Sequence, residues 1–448
     1  MCALLDLAAD ALALDGCDAV EVGLTRSDVA LTRFADSRVH QNVARVDGEA
    51  RLRVVVDGSR VGVAVTNSLD HAAIRRAAEQ ARDIARVSKP DPQYAGMPSG
   101  EQAYSAAGRD DGDTAGCSAA DRAGLVSRIL AELPAGVLGA GYVETGRVER
   151  AIANSFGLTG SHAGTHVGAS VLASSDVGGE DSTGHAEGGA SALSGLDVSR
   201  LGARAARKVE LGRRPREVEP GRWSVVLEPA ATEVLVQFLD YLAFGGKNFN
   251  DGRSALCGRL GDQVCSERVT IVDDALSPLL PGVPFDAEGT PKRRVPFIET
   301  GVAVAVGHDR STAAVAGTRS TGHALPPPNP HGPMPAHIIM EAGSTGLDGL
   351  VEGCERGLYI TRFHYTNVVH PLRTSITGMT RDGTFLISGG RIVGGVRNLR
   401  FTQSILDALR HVEDVGRDVE MASDAFFGAA VAPAVRLTNF TFTSTTAH

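Results

Sequence analysis

Residues 223–254 read WSVVLEPAATEVLVQFLDYLAFGGKNFNDGRS. The opening WSVVLE has the apolar run of a buried strand. Pro229 suits the first turn of a helix, where a missing backbone N–H costs nothing. Glu228 and Glu233 suit the positive end of that helix's dipole. Leu235, Phe238, Leu239 and Leu242 follow at i, i+3, i+4 and i+7, one apolar stripe. The spacing therefore predicts a strand, then a helix that ends at Gly245 and Gly246. Phe238 and Leu242 belong to its buried face. Asp240 points the other way, as a solvated carboxylate. The helix offers little that can do chemistry.

Outward from this stretch, the 448 residues suggest two domains. Apolar residues make up 43%, enough for a globular core, and 53 glycines with 5% aromatics favour strands and turns. Upstream, AVEVGLT and VALTRFA alternate as strands do. ARLRVVVDGSRVGVAVT reads as a hairpin on the Asp57-Gly58 turn. A helix follows, capped by Asn67 or Ser68, with Ile74, Ala77, Ala81 and Ile84 on its apolar face. A second helix is expected near Ala119 to Leu133, then a hairpin through NSFGLTGSHAGTHVGASVLAS. A basic helix from Val198 to Leu211 ends at Gly212. RRPREVEPG (213–221) is charged, carries two prolines and marks the expected boundary. Short strands dominate the rest, with one late helix near Gln403 to Val415. The expected class is α+β. Residues 1–212 form an N-terminal α/β domain with a largely antiparallel sheet, and 213–448 a mostly-β, barrel-like domain with few helices.

The formal charge of -9 comes with no basic stripe, which argues against nucleic acid. No apolar run reaches the roughly 18 residues that a membrane span needs. MCALLDLAADALALDG lacks a basic n-region, and the six cysteines show no CxxC spacing. The expected setting is a reducing cytoplasm.

Other residues could carry chemistry. His162 and His166 sit four apart, but in a glycine-rich, strand-like segment. His323, His331 and His337 share a loop whose prolines give their rings no fixed convergence. Cys354 precedes His364 and His370 without any local signature of a nucleophile. Asp273 and Asp274 leave a strand, where aspartates usually shape turns.

Several segments together resemble one family. They are RFADSRVHQNVARVDGEARLRVVVDGSRVGVAVTNSLD, NSFG, VVLEP, GRSALCGRLGDQV, TIVDD, RSTGHA and GLYITRF, in that order, followed by the glycine-rich tail hairpin and the late helix. In order and spacing the chain is similar to the TldD/PmbA (TldD/TldE) metallopeptidases. The resemblance implies two kinds of subunit that pair. One carries HExxxH on the helix after the first C-terminal strand, where two histidines hold zinc and the glutamate polarises water; a C-terminal cysteine completes that site. Counted back from GRS, the motif positions fall here on Gln237, Phe238 and Leu242, and no cysteine follows Cys354. The resemblance is therefore to the metal-free PmbA/TldE kind. It implies no catalytic residue and no cofactor in this chain, zinc in a TldD-like partner, and a peptide or small amide as substrate. Arg319, Ser320, Thr321, Gly322 and His323 are the expected cleft residues. A role on an amide intermediate of natural-product biosynthesis and a metal-free scaffold or binding homodimer stay open as alternatives.

Overall fold

The computed structural model describes residues 3–175, 182–421 and 429–446. Six strands build the N-terminal sheet: β1 (Ala19–Ala35), β2 (Arg38–Val56), β3 (Arg60–Thr66), β4 (Leu138–Asn154), β5 (Thr159–Ser175) and β6 (Ser182–Ala190). They pair in the order β3–β2–β1–β4–β5–β6, every neighbour antiparallel. Asp57 and Gly58 both take positive φ, 51° and 76°, in the three-residue turn that joins Val56 to its partner Arg60.

Strand side chains alternate between faces. Val20, Val22, Leu24, Leu52 and Val54 pack under the helix His71–Val87 with its Ile74, Ala77 and Ala81. Farther along the sheet, Val143, Ala169 and Val171 pack against the helices Ala119–Ala131 and Val198–Leu211. The helices cover one face and leave the other to the C-terminal half. Two local expectations are corrected. Asp70, not Asn67 or Ser68, caps the first long helix by accepting from the Ala73 N–H at 2.8 Å. Ile84 lies at the helix rim, 37% exposed.

The C-terminal half holds β7 (Gly221–Leu227), β8 (Ile271–Asp273), β9 (Val295–Glu299), β10 (Val302–Ala303), β11 (His337–Met340), β12 (Arg356–His370), β13 (Ser375–Ser388), β14 (Arg391–Gly395), β15 (Leu399–Ser404), β16 (Val412–Met421) and β17 (Ala429–Thr445). The pairings run from β7 to β12, β13, β15 and β17, and from β17 back to β7. This return is the barrel-like element of a mixed α+β molecule. The helix Pro229–Leu239 lies in its core, where Leu235, Val236 and Leu239 are fully buried with Leu358, Val435 and Phe440. The late helix is shorter than expected, Ile405–Arg410, because β16 already begins at Val412. Among the described residues, no helix is long and apolar enough to cross a membrane.

Candidate functional site

The helix that begins at Pro229 runs to Leu239 and continues as a π turn, Asp240–Phe244. Gly245 does not stop it through a left-handed conformation, since its φ is -75°. Gly246 is needed for close approach: a Cβ there would stand 2.4 Å from His308 Nδ1. Leu242 is 5% exposed and belongs to the main core, and Phe238 is partly buried against it. Gln237 is buried. A zinc ion needs three or four nitrogen, sulfur or carboxylate donors in tetrahedral array. Phenylalanine and leucine supply none, and Cys354 is buried in a different cluster, with Leu350 and Tyr359. Among the described residues, no group of three or more His, Cys, Asp or Glu side chains is placed to hold a metal. The residues here do not fit zinc.

Two acids near this helix differ from expectation. Asp240 is not solvated; it is 1% exposed, and its Oδ1 has no hydrogen-bond partner. Burial, then the neighbouring Asp273 charge, pushes its carboxyl well above the usual range, against Lys292. The π turn places it inward, where a solvated position would require an outward face. Asp273 is no turn former either. It is fully buried and accepts from Lys292 Nζ at 3.1 Å and from the Ala336 and His337 N–H groups at 3.0 and 2.8 Å. Burial alone would raise it, but Lys292 and His323 outweigh burial and hold it well below the carboxylate range. Asp274 does shape a turn, accepting from the Leu276 N–H.

The proline-rich loop also converges more than expected. His323 Nε2 lies 3.2 Å from Asp273 Oδ2, within ion-pair distance though without hydrogen-bond geometry, and its Nδ1 contacts Thr321 Oγ1 at 2.7 Å. His337 follows the same acid through its backbone. Burial, then Lys292, lowers both rings, His337 to about 3. His331 is exposed and apart. Lys292 supplies the positive charge of this cluster. Phe244 stacks on Phe297, which packs on His323, and so ties the helix end to it.

This cluster borders a half-open cleft of about 160 Å³ between the two halves of the chain. Its floor is the uncovered face of the N-terminal sheet. Glu21, Gly23 and Thr25 share that face on β1, and their register partners are Arg53, Arg51 and Glu49 on β2. Across β1 on the other side stand Asn154, Ile152 and Arg150 of β4. The roof comes from Val283–Ala287, Lys292 and the loop from His323 to His337. Arg51 Nη1 donates to Pro327 O at 2.6 Å and joins floor to roof. Asp286 accepts from three backbone N–H groups, of Glu288, Thr290 and Ala324; burial and the Glu288 charge nevertheless push it up to about 7.

Of the five expected cleft residues, the structure brings His323 to the cleft wall. Arg319 is exposed, Ser320 and Thr321 bond to His308 O, and Gly322 turns the chain at φ 79°. His162 and His166 share one face of β5, and His166 faces Glu144 at 3.4 Å. Cys354 is buried while His364 and His370 are exposed, so they form no site. Sequence reading passes over Arg150 and Lys292 and takes the buried Asp240 for a solvated carboxylate. The alternation Glu21-Val22-Gly23-Leu24-Thr25 could have flagged the floor, because its polar members share one face.

Comparison with known proteins places these features. The model described as "PmbA/TldA metallopeptidase C-terminal domain" matches residues 220–444, half of the chain. This chain belongs to the PmbA/TldD metallopeptidase family. The family's domain 1 and central domain match residues 20–85 and 103–212. A metalloprotease of Methanothermobacter thermautotrophicus is 26% identical over 52% of this chain and 51% of its own length. The chain thus spans about half the length of the first curated relatives it matches. The metalloprotease PmbA of Escherichia coli O157:H7 is 25% identical over 85% of this chain and 83% of its own. The crystal structure of TldE from Thermococcus kodakarensis shares the fold, with a TM-score of 0.88 at 20% identity over 95% of this chain and 97% of that one.

Proposed function

We propose that this chain is the metal-free, non-catalytic subunit of a two-subunit peptidase of the PmbA/TldD family, and that a TldD-like partner with an intact HExxxH holds the hydrolytic zinc. In this reading the chain supplies one wall of the cleft that admits unfolded or small modified peptides. One observation carries it: Gln237, Phe238 and Leu242 stand at the motif positions, with Leu242 in the main core. A side chain packed there cannot turn to a metal without opening the core. The fold likeness to a TldE supports the same subunit type.

Purification of the chain alone and together with a TldD-like subunit tests this. Peptide hydrolysis is expected only from the pair. It should vanish when the partner's HExxxH is mutated and persist in Gln237→Ala. One tightly held zinc per isolated chain, or turnover by the chain alone, would overturn the proposal.

A further inference from the structure

The charges around the interdomain cleft are almost all matched. Arg51 lies 2.8 Å from Glu49, Glu21 lies 2.7 Å from Arg53, and Lys292 lies 3.1 Å from Asp273. Asp286 is already engaged by three backbone N–H groups. Arg150 is different. Among the described residues it has no ion pair or hydrogen-bonded partner, and it lines the cleft as an exposed side chain. Burial lowers its pKa and no nearby acid offsets that effect. Its register partner on β5 is His162, and on β1 it is Thr25; neither supplies a negative charge. An unmatched guanidinium in a cleft favours an anion, and its fork suits a planar carboxylate. The walls beside it, Ile152, Val283, Phe285 and Met334, are apolar. A volume of about 160 Å³ is small for a ligand cleft, which ordinarily holds several hundred. It suits a group one residue in size.

We propose that this cleft binds a terminal carboxylate borne on a one-residue apolar group, with Arg150 as the cation that receives it. The ligand chemistry is that of an acylated amino acid or of the last residue of a short peptide. The inference rests on the reading of this chain as a cleft-forming subunit and names what that cleft recognises. Arg150 is a binding residue here and takes no part in bond cleavage.

Gly23 makes the proposal testable without disturbing the core. It lies at the centre of the floor, between Glu21 and Thr25. A Cβ built on it would meet only Arg51 O, at 4.0 Å. Gly23→Val therefore fills the cleft from below while the strand stays sound.

Calorimetric titration of the full chain, without any partner, uses four probes: N-acetyl-leucine, N-acetyl-leucinamide, Ala-Ala-Leu and its C-terminal amide. The free acids are expected to bind and the amides to bind at least about tenfold more weakly, as loss of a charge-assisted bond implies. Arg150→Gln and Gly23→Val should each weaken the free acids by a similar factor, and Arg150→Lys should retain part of the affinity. Binding of N-acetyl-leucine as tight as that of Ala-Ala-Leu assigns the site to a single acyl amino acid; tighter binding of the tripeptide assigns it to a peptide terminus. Either supports the proposal. No saturable binding at millimolar concentration, amides that bind as well as acids, or an Arg150→Gln variant that binds like the native chain overturns it. None of those failures touches the two-subunit reading, which stands or falls on hydrolysis with the partner.

Discussion

The helix Pro229–Leu239 carries a buried acid at each end, and the two are treated oppositely. Glu228, at its start, is 2% exposed and was expected to serve the helix dipole. Its side chain caps nothing; it meets Lys208 Nζ at 2.7 Å and Arg204 Nη2 at 2.9 Å, both from the helix Val198–Leu211. Lys208 also donates to His185 O. Burial would raise the Glu228 carboxyl, but these two cations outweigh it and lower it. Asp240, past the other end, has an unmatched oxygen and a second acid for a neighbour. One end is a rivet between the two halves of the chain. The other is a buried acid left short of partners. A complete set of partners stabilises a buried charge, and an incomplete set leaves its cost standing. Departures of this kind gather near functional sites.

The largest effect is expected between the two ends. Replacing Gln237, Phe238 and Leu242 with His, Glu and His should create neither a zinc site nor a peptidase. Loss of the Leu242 side chain alone should cost about 2–5 kcal/mol, and the buried part of the new glutamate adds to it. Poor expression or a strongly lowered urea midpoint, with no bound zinc by elemental analysis, is the expected result. A soluble triple variant that holds zinc would show that this helix face opens to the cleft.

Glu228→Ala comes next. It strands Lys208 in the interior and leaves Arg204 only Glu420, and breaking such a buried pair typically costs about 3–5 kcal/mol. Chemical denaturation measures it, and Glu228→Gln should cost less. Because the Glu228 carboxyl is lowered in the folded state, its contribution is present above the ordinary glutamate pKa. It is lost as pH falls through the folded value.

Asp240 should behave in the reverse sense. Its folded pKa is raised, so the folded chain holds that proton more tightly than the unfolded chain. Stability then declines as pH climbs from the ordinary aspartate value towards the folded one. Asp240→Asn should remove that decline and gain on the order of 1 kcal/mol at alkaline pH, the scale of an unpartnered buried polar group. Denaturant midpoints measured from acid to alkaline pH test it. A variant with the native slope would mean that Asp240 finds a partner in solution. The smallest change is expected for Gly23→Val, within about 1 kcal/mol of native, the span of strand propensities. A large drop in thermal midpoint would mean that the valine side chain clashes with the roof.

Much of this molecule is legible along the chain. The two-residue alternation in β1 to β5 marks the N-terminal sheet, and Asp57-Gly58 marks its first turn. The 3.6-residue stripe of Leu235, Leu239 and Leu242 marks the central helix. These signals are local: each depends on residues within a few positions of one another. So does the absence of HExxxH, which is a matter of residue identity. The residues of the cleft lie beyond such reading. Asp240 is polar on an outward-looking helical position until the π turn carries it inward. Lys292 and Asp273 are 19 residues apart and meet only because β8 and the loop before β9 fold over His323.

The sequence by itself determined which side chains can do chemistry and which cannot: Phe238 and Leu242 have no lone pair for a metal in any fold. The tertiary structure alone decided which charges are answered. Glu228 finds two cations on the preceding helix, Lys208 being 20 residues upstream, while Arg150, exposed in the cleft, has no ion-pair partner among the described residues. The reason is physical. Identity sets a side chain's charge and donors, but the free energy of a buried charge depends on what stands within a few ångströms of it, and only the packing of distant segments sets that.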